Sequence, residues 1–290
     1  MVTPHEQYLE LAQALGYSNL YFKREDLHPY GSHKGRSIPV MIDWHYKGGD
    51  RRFGLSSSGN AALAAALYTK EMNSRDQEKI SLDIYVGLGI DPHKLERVRA
   101  LADEHIRIFS KERPRQALTE AMQKGVRSLR QTTDDVALIG YVPLAEELLK
   151  IGNVGAVFIG TSSGTTAQSL ARFFKEKNLP TQVHIIQTSS CHPLADAFEP
   201  YDGPNEKSIA DAITDITAQR RFDLTALINE NSGFGWYASN KDIRTAQELV
   251  EKHTGLKIST NSALSVVGAM HAAYRGWEIK GNVVCMICGE

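Results

Sequence analysis

The 290-residue chain is short of every feature that would mark it as unusual. It has three cysteines, Cys191, Cys285 and Cys288, too few for a disulfide framework, so a reducing, cytoplasmic setting is the expectation. No apolar run reaches the length of a membrane span, so no membrane partner is expected. Met1 to Glu10 lacks the charged-then-apolar layout of a secretory leader, and none is expected. Neither sign of charge is in excess: 33 Lys and Arg face 34 Asp and Glu, a net charge of −1. A nucleic-acid partner therefore has no electrostatic motive. Internal repeats, low-complexity tracts and flexible linkers are also missing. What remains is an ordinary globular composition and a length that suits one large or two modest domains.

Strand and helix signals alternate along this chain. Residues 5–15 carry Tyr8, Leu9, Leu11, Ala12 and Leu15 at helical spacing and read as a helix closed by Gly16. Residues 19–23 read as a short strand, and 35–47 as a helix capped from Ser32. Strands are predicted at 52–55, 82–87 and 106–109, with helices at 61–72, 92–102 and 114–130 between and after them. In the last helix Ala117, Leu118, Ala121, Met122 and Val126 form the inward face. A second run places strands at 154–159 and 183–186 around a helix at 167–177. Residues 233–240 lead into a helix over 242–253, capped at Ser239 or Asn240. A further helix ends near Ala273, and Asn282–Ile287 closes the pattern as an apolar strand.

Chemistry is concentrated at Lys34 and in two loops. A lysine in apolar surroundings or beside another cation gives up its proton easily and attacks aldehydes. Lys34 follows a turn at 29–31, stands between His33 and Arg36, and leads into the apolar run 38–42. A solvated surface lysine is the plainer alternative. Ser56-Ser57-Ser58-Gly59-Asn60 and Gly160-Thr161-Ser162-Ser163-Gly164-Thr165-Thr166 each join a strand to a helix. Such a loop presents backbone N–H groups at a helix N-terminus, which makes either an anion site or a routine serine cap. The second loop has neither Gly-x-Gly-x-x-Gly nor a Gly-Lys-Ser/Thr ending, which disfavours a nucleotide. Cys285-x-x-Cys288 admits a redox or zinc pair, but a strand interior separates two thiols poorly, and the strand reading is preferred. No metal site is expected.

Together these stretches resemble the fold-type II pyridoxal-phosphate enzymes, the tryptophan synthase β family. The string Lys23-Arg24-Glu25-Asp26, followed by Pro29, Gly31, Ser32 and Lys34, resembles the run that ends in the family's cofactor lysine. Residues 57–60 resemble its substrate-carboxylate loop, 160–166 its phosphate loop, and Gly140-Tyr141-Val142-Pro143-Leu144-Ala145-Glu146-Glu147 the passage back to its larger domain. The resemblance implies an α/β protein of two domains, each with a mainly parallel sheet flanked by helices. The large cofactor-phosphate domain would be 1–34 with 140–290, and the smaller mobile domain, carrying the Asn60 loop, 35–139. It implies pyridoxal 5'-phosphate held by Lys34 as a Schiff base. Its phosphate would be bound by Gly160, Thr161, Ser162, Ser163, Gly164, Thr165 and Thr166, and its pyridine nitrogen contacted by Cys288. Ser57, Ser58, Gly59 and Asn60 would bind the substrate, Asn60 also touching the cofactor's phenolate oxygen. An amino-acid substrate and a homodimer are implied as well.

Residues 191–198 and 208–213 resemble threonine synthase segments more than those of other members. The first expectation is therefore a carbon–oxygen lyase that converts O-phosphohomoserine to threonine and phosphate. Its second anion site would draw on Lys94, His93, Lys23 or Arg36. A serine or threonine dehydratase, or a cysteine-synthase-like β-replacement enzyme, comes next. A non-catalytic relative that binds an amino acid or the cofactor rests on three departures from the family pattern. Gly35 stands for the usual Asp, Ser162 and Thr165 stand for glycines, and the sequence stops just past Cys288 where members continue.

Overall fold

In the computed structural model, which describes residues 1–75, 77–90 and 92–289, the chain opens on a strand rather than on the expected helix. β1 (His5–Gln7) lies antiparallel to β2 (Leu20–Arg24), and α1 (Leu9–Leu15) joins them. The helical spacing is real only from Leu9 onward, where Leu11 and Ala12 turn into the core. The three residues before it take their backbone partners from a strand some fifteen positions later, and such distant pairing leaves no local signal.

The next stretch builds a small unit, residues 28–140. It contains α2 (Lys34–Lys47), β3 (Arg52–Ser56), α3 (Asn60–Arg75), β4 (Ser81–Gly87), α4 (Pro92–Arg99), β5 (Ile106–Lys111), α5 (Pro114–Met122), β6 (Arg127–Ser128) and α6 (Val136–Ile139). Its four strands run parallel in the order β5-β4-β3-β6. Ile38, Met41 and Ile42 of α2 and the alanines of α3 pack with Phe53, Leu55, Leu82, Ile84 and Val86 of the sheet. The helix expected over 114–130 stops at Met122, which is half exposed instead of inward. Gly125 takes a left-handed φ of 84°, which ends the helix and sends Arg127 and Ser128 to pair with Phe53 and Gly54. The helix predicted over 92–102 likewise ends at Arg99.

The remaining chain, with residues 1–27, forms the larger unit. It adds α7 (Val142–Leu149), β7 (Val154–Gly160), α8 (Thr165–Glu176), β8 (Gln182–Thr188), α9 (Arg221–Glu230), β9 (Gly235–Ala238), α10 (Asn240–Thr254), α11 (Thr260–Tyr274) and β10 (Asn282–Ile287). The six-stranded order is β1-β2-β10-β7-β8-β9, parallel throughout except for β1. Strand side chains alternate between two cores. Ala156, Phe158, Ile186, Val283, Cys285 and Ile287 join residues of α1, α10 and α11 on one face. Val157, Ile159, Val183, Ile185, Val284, Met286 and Cys288 join α7, α8 and α9 on the other. α10 starts with a reciprocal cap: Ser239 accepts the Asp242 N–H, and the Asp242 carboxylate accepts the Ser239 N–H.

The units divide after Leu27 and after Gly140. Lys34, expected in the larger domain, thus belongs by packing to the smaller unit, because α2 packs against α3 and α6. No described helix is long and apolar enough to cross a membrane.

Candidate active site

Lys34 is the first residue of α2. The turn before it is tight: Gly31 takes φ 80° and donates its N–H to the His28 carbonyl at 2.7 Å. Ser32, fully buried, accepts the Lys34 N–H at 3.3 Å. The side chain runs to Gln131, whose Oε1 accepts a proton of Lys34 Nζ at 2.6 Å. Gln131 is buried and electrically neutral. Gly35, which stands for the family's Asp, is what the packing of this chain requires. A Cβ at position 35 would lie 2.4 Å from the imidazole of His28, which is itself buried. Only glycine leaves room for that ring.

Also in the smaller unit, Ser57, Ser58 and Gly59 connect β3 to α3, and Asn60 is the first residue of that helix. All four are half-buried, and Ser57 Oγ accepts the Gly59 N–H at 3.3 Å. The loop therefore folds on itself at the start of a sixteen-residue helix.

In the larger unit, β7 ends at Gly160 and α8 begins at Thr165. Gly164 occupies the N-cap with φ 80°, and no side chain caps the helix. A Cβ on Gly164 would come within 2.5 Å of Leu224, so glycine is demanded twice at this position. Within the loop, Thr161 Oγ1 accepts the Gly164 N–H at 3.0 Å, and the hydroxyls of Ser163 and Thr165 meet at 3.0 Å. Ser162, one of the residues replacing a family glycine, has a different engagement. Its Oγ accepts the N–H groups of both Thr214 and Asp215, each at 2.9 Å. That hydroxyl fastens the 214–215 loop to the 160–166 loop. Arg220, buried, donates to Gln168 Oε1 in the first turns of α8 at 2.9 Å.

Cys288 follows directly on β10 and is buried. The next residue, Gly289, is tied down through its carbonyl, which accepts the hydroxyls of Ser259 at 2.7 Å and Ser262 at 3.0 Å. Cys285 lies inside the strand, where complete burial pushes its thiol up, and its sulfur points at the Ser265 carbonyl. The two cysteines fall on opposite faces of the sheet.

Lys23, named among the candidates for a second anion site, is fully buried and already paired. Its Nζ meets a Glu147 oxygen and the Thr3 carbonyl, each at 2.5 Å. Thr3 in turn donates to Glu25, also fully buried. Arg36 is buried as well, whereas His93 is exposed and Lys94 half-buried at the start of α4. Gln131, Ser259, Ser262 and the 214–215 loop carry no signal in the sequence. Each acts across a long stretch of chain, 97 residues in the case of Gln131 and Lys34, and no local pattern announces it.

The family described as pyridoxal-phosphate dependent enzyme matches residues 1–289, and the chain belongs to it. It is similar to the threonine synthase of Mycobacterium bovis, 24% identical over 282 residues that cover 93% of this chain and 76% of that protein. Among solved structures it is similar to the processed form of threonine deaminase isoform 2 from Solanum lycopersicum, with TM-score 0.82 and 21% identity over 99% of this chain and 78% of that one. Maize serine racemase gives TM-score 0.80 and 17% identity over 99% of this chain and 87% of that one. The fold is accordingly that of the fold-type II enzymes, and pyridoxal 5'-phosphate is the cofactor.

Proposed function

We propose that the chain is a carbon–oxygen lyase of the threonine synthase kind, acting on O-phosphohomoserine. The observation that carries the reading is the likeness to threonine synthase along 93% of the chain. The donor set suits the cofactor on two counts. The uncapped start of α8, with its hydroxyl-lined loop, suits a phosphate, and a primary amine bonded to a neutral amide suits an aldehyde.

When bound, the cofactor draws electrons from the substrate's α-carbon. Lys34 would hold it through its side-chain amine, and the same Nζ would take a proton from the substrate and return it. Gln131 accepts one Nζ proton and so aims the amine without adding a charge. The N–H groups at the start of α3, with Ser57, Ser58, Gly59 and Asn60, hold the substrate carboxylate. Gly160, Thr161, Ser163, Gly164, Thr165 and Thr166 receive the cofactor phosphate, while the Ser162 oxygen is spent on the backbone of Thr214 and Asp215. Cys288 would be the partner of the pyridine nitrogen. A thiol holds a proton there poorly, which favours loss of a leaving group over transamination. The candidates for the substrate's own phosphate are His93, Lys94 and Arg36; Lys23 is buried against Glu147.

The test is direct. Purified protein should show the visible absorption of bound cofactor and release threonine and phosphate from phosphohomoserine. Lys34→Ala should lose turnover by at least about 10⁴-fold, the scale of losing a group that both binds and moves protons. Keto-acid from serine or threonine would replace this reading with a dehydratase. A cofactor band that survives in Lys34→Ala and is reduced onto another lysine would remove Lys34 from the site.

A further inference from the structure

At the open edge of the larger unit's sheet, β9 carries one side of a cavity of about 270 Å³. Its wall is aromatic. Tyr201 and Tyr237 lie 4.9 Å apart between ring centroids, and Phe234 and Trp236 lie 4.8 Å apart. Its rim is acidic, with Glu199, Asp202 and Asp242 facing Arg275 and His271. The stretch 199–202 lies between the phosphate loop and the α9 helix in sequence, and no role in the proposed chemistry falls on it.

This lining already handles one organic cation. The Arg275 guanidinium sits 5.3 Å from the centroid of Trp236 and 5.6 Å from that of Phe234, and is paired with Glu199 at 2.7 Å. Cations gain from an aromatic face and a nearby carboxylate together. Glu199 is thereby neutralised, and two carboxylates are left. Asp202 makes no hydrogen bond or ion pair among the described residues. Asp242 spends one oxygen on the Ser239 cap, while its other oxygen pairs with His271 Nε2 at 3.7 Å, a partner that carries a charge only when its ring is protonated. Burial works to raise the Asp242 carboxyl, but the bonds from His271 and Ser239 outweigh it and hold it at about 2, so it is charged at neutral pH. The cavity thus offers two aromatic rings, Tyr201 and Tyr237, and two negative charges; Arg275 and His271 are the basic residues in its lining, the His192 ring packs on both tyrosines, and Arg221 acts on Tyr237 through its charge.

We propose that this cavity is a binding site for a small organic cation, a molecule bearing an ammonium or guanidinium group, separate from the cofactor site. The ligand's charge lies between Asp202 and Asp242, and its carbon skeleton lies against Tyr201 and Tyr237. The cavity's size limits the ligand to roughly the bulk of an amino acid. The inference does not depend on the assignment of Lys34.

The test uses probes that cannot condense with an aldehyde, so that binding at the cofactor is excluded by chemistry. Tetramethylammonium and methylguanidinium are titrated at constant ionic strength into the cofactor-loaded protein, with tert-butanol and methylurea as neutral comparators of matching shape. The indole N–H resonances report. Trp236 lines the cavity and Trp277 stands 5.5 Å from it between ring centroids, whereas Trp44 belongs to the smaller unit and serves as control. The two cations should shift the Trp236 and Trp277 signals saturably and leave Trp44 unmoved. Asp202→Asn, at an exposed position, and Tyr201→Ala, at a half-buried one outside the apolar cores, should each weaken the response on the order of tenfold. Equal shifts from the neutral comparators, a response without saturation, a matching shift at Trp44, or an unchanged response in Asp202→Asn and Tyr201→Ala would each overturn the proposal.

Discussion

Lys23 and Lys34 open and close one short motif, yet one described bond of each amine goes to a different kind of partner. Lys23 is fully buried, and its ammonium is met by a carboxylate, Glu147, and a backbone carbonyl, that of Thr3. Lys34 is met by the amide oxygen of Gln131. A buried cation needs a counter-charge, and once it has one the proton stays, since its loss would strand the carboxylate. A neutral acceptor orients an amine and leaves its proton negotiable. Under the proposed reading, the carboxylate at Lys23 and the amide at Lys34 are what set a structural lysine beside a chemical one.

The sharpest way to break this contrast is to remove the first cation. Lys23→Met leaves Glu147 buried without its charge partner and should cost about 3–5 kcal/mol in chemical denaturation. Adding Glu147→Leu should restore much of that loss, because the uncompensated charge goes with it. If the single variant is as stable as the parent, the pair is not what holds β2 to α7, and the division of roles between the two lysines fails.

His184 tests the same rule from the other side, as a buried ionisable group with neutral partners only. Its Nδ1 accepts the Trp236 indole N–H at 3.1 Å, which places its own proton on Nε2, bonded to Gln182 Oε1 at 3.0 Å. Burial lowers its pKa from 6.5 to about 3. Above pH 6.5 the ring is neutral in both folded and unfolded chains. Below it the unfolded chain takes a proton that the folded one refuses, so stability falls with pH until about pH 3. Between pH 7 and pH 5 this group alone should remove about 2 kcal/mol. His184→Gln, which keeps an acceptor for Trp236, should be less stable at pH 7 but show a flatter slope over that range. Parallel slopes for the two proteins would mean that the ring is charged in the folded state.

Much of this was legible in the order of residues, and the failures share one cause. The apolar runs at 154–159 and 282–287 read as buried strands because both faces of the sheet are covered, and they fold so. The small-residue loop before α8 was legible because backbone donors at a helix start need room. β1 was missed because its partners lie in β2, and the helix over 114–130 was overextended because a single glycine outweighs an apolar stripe. Gly35 looked like a defect until the ring of His28 filled the space above it. At Ser162 the hydroxyl was visible, but not the 214–215 backbone that claims it, more than fifty residues away. What a residue is can be read locally; whom it meets cannot.

Gln131→Glu converts the second lysine's surroundings toward those of the first, and its effect should be the smallest and the most telling. The side chain keeps its length, and an acceptor oxygen stays opposite Lys34 Nζ, so the fold should hold. The new carboxylate favours the charged amine. In the proposed reaction Lys34 must be free of its proton to act as a base. The rising limb of the pH–rate profile should therefore move up by about one unit, and turnover at neutral pH should drop on the order of tenfold. Substrate affinity should change little, since Gln131 is assigned no contact with substrate. Gln131→Leu separates charge from positioning: it adds no charge, so it should slow turnover without moving the limb. If Glu and Leu slow the enzyme equally with no displacement of the profile, the amide merely fills space, and the contrast between the two lysines has a different origin.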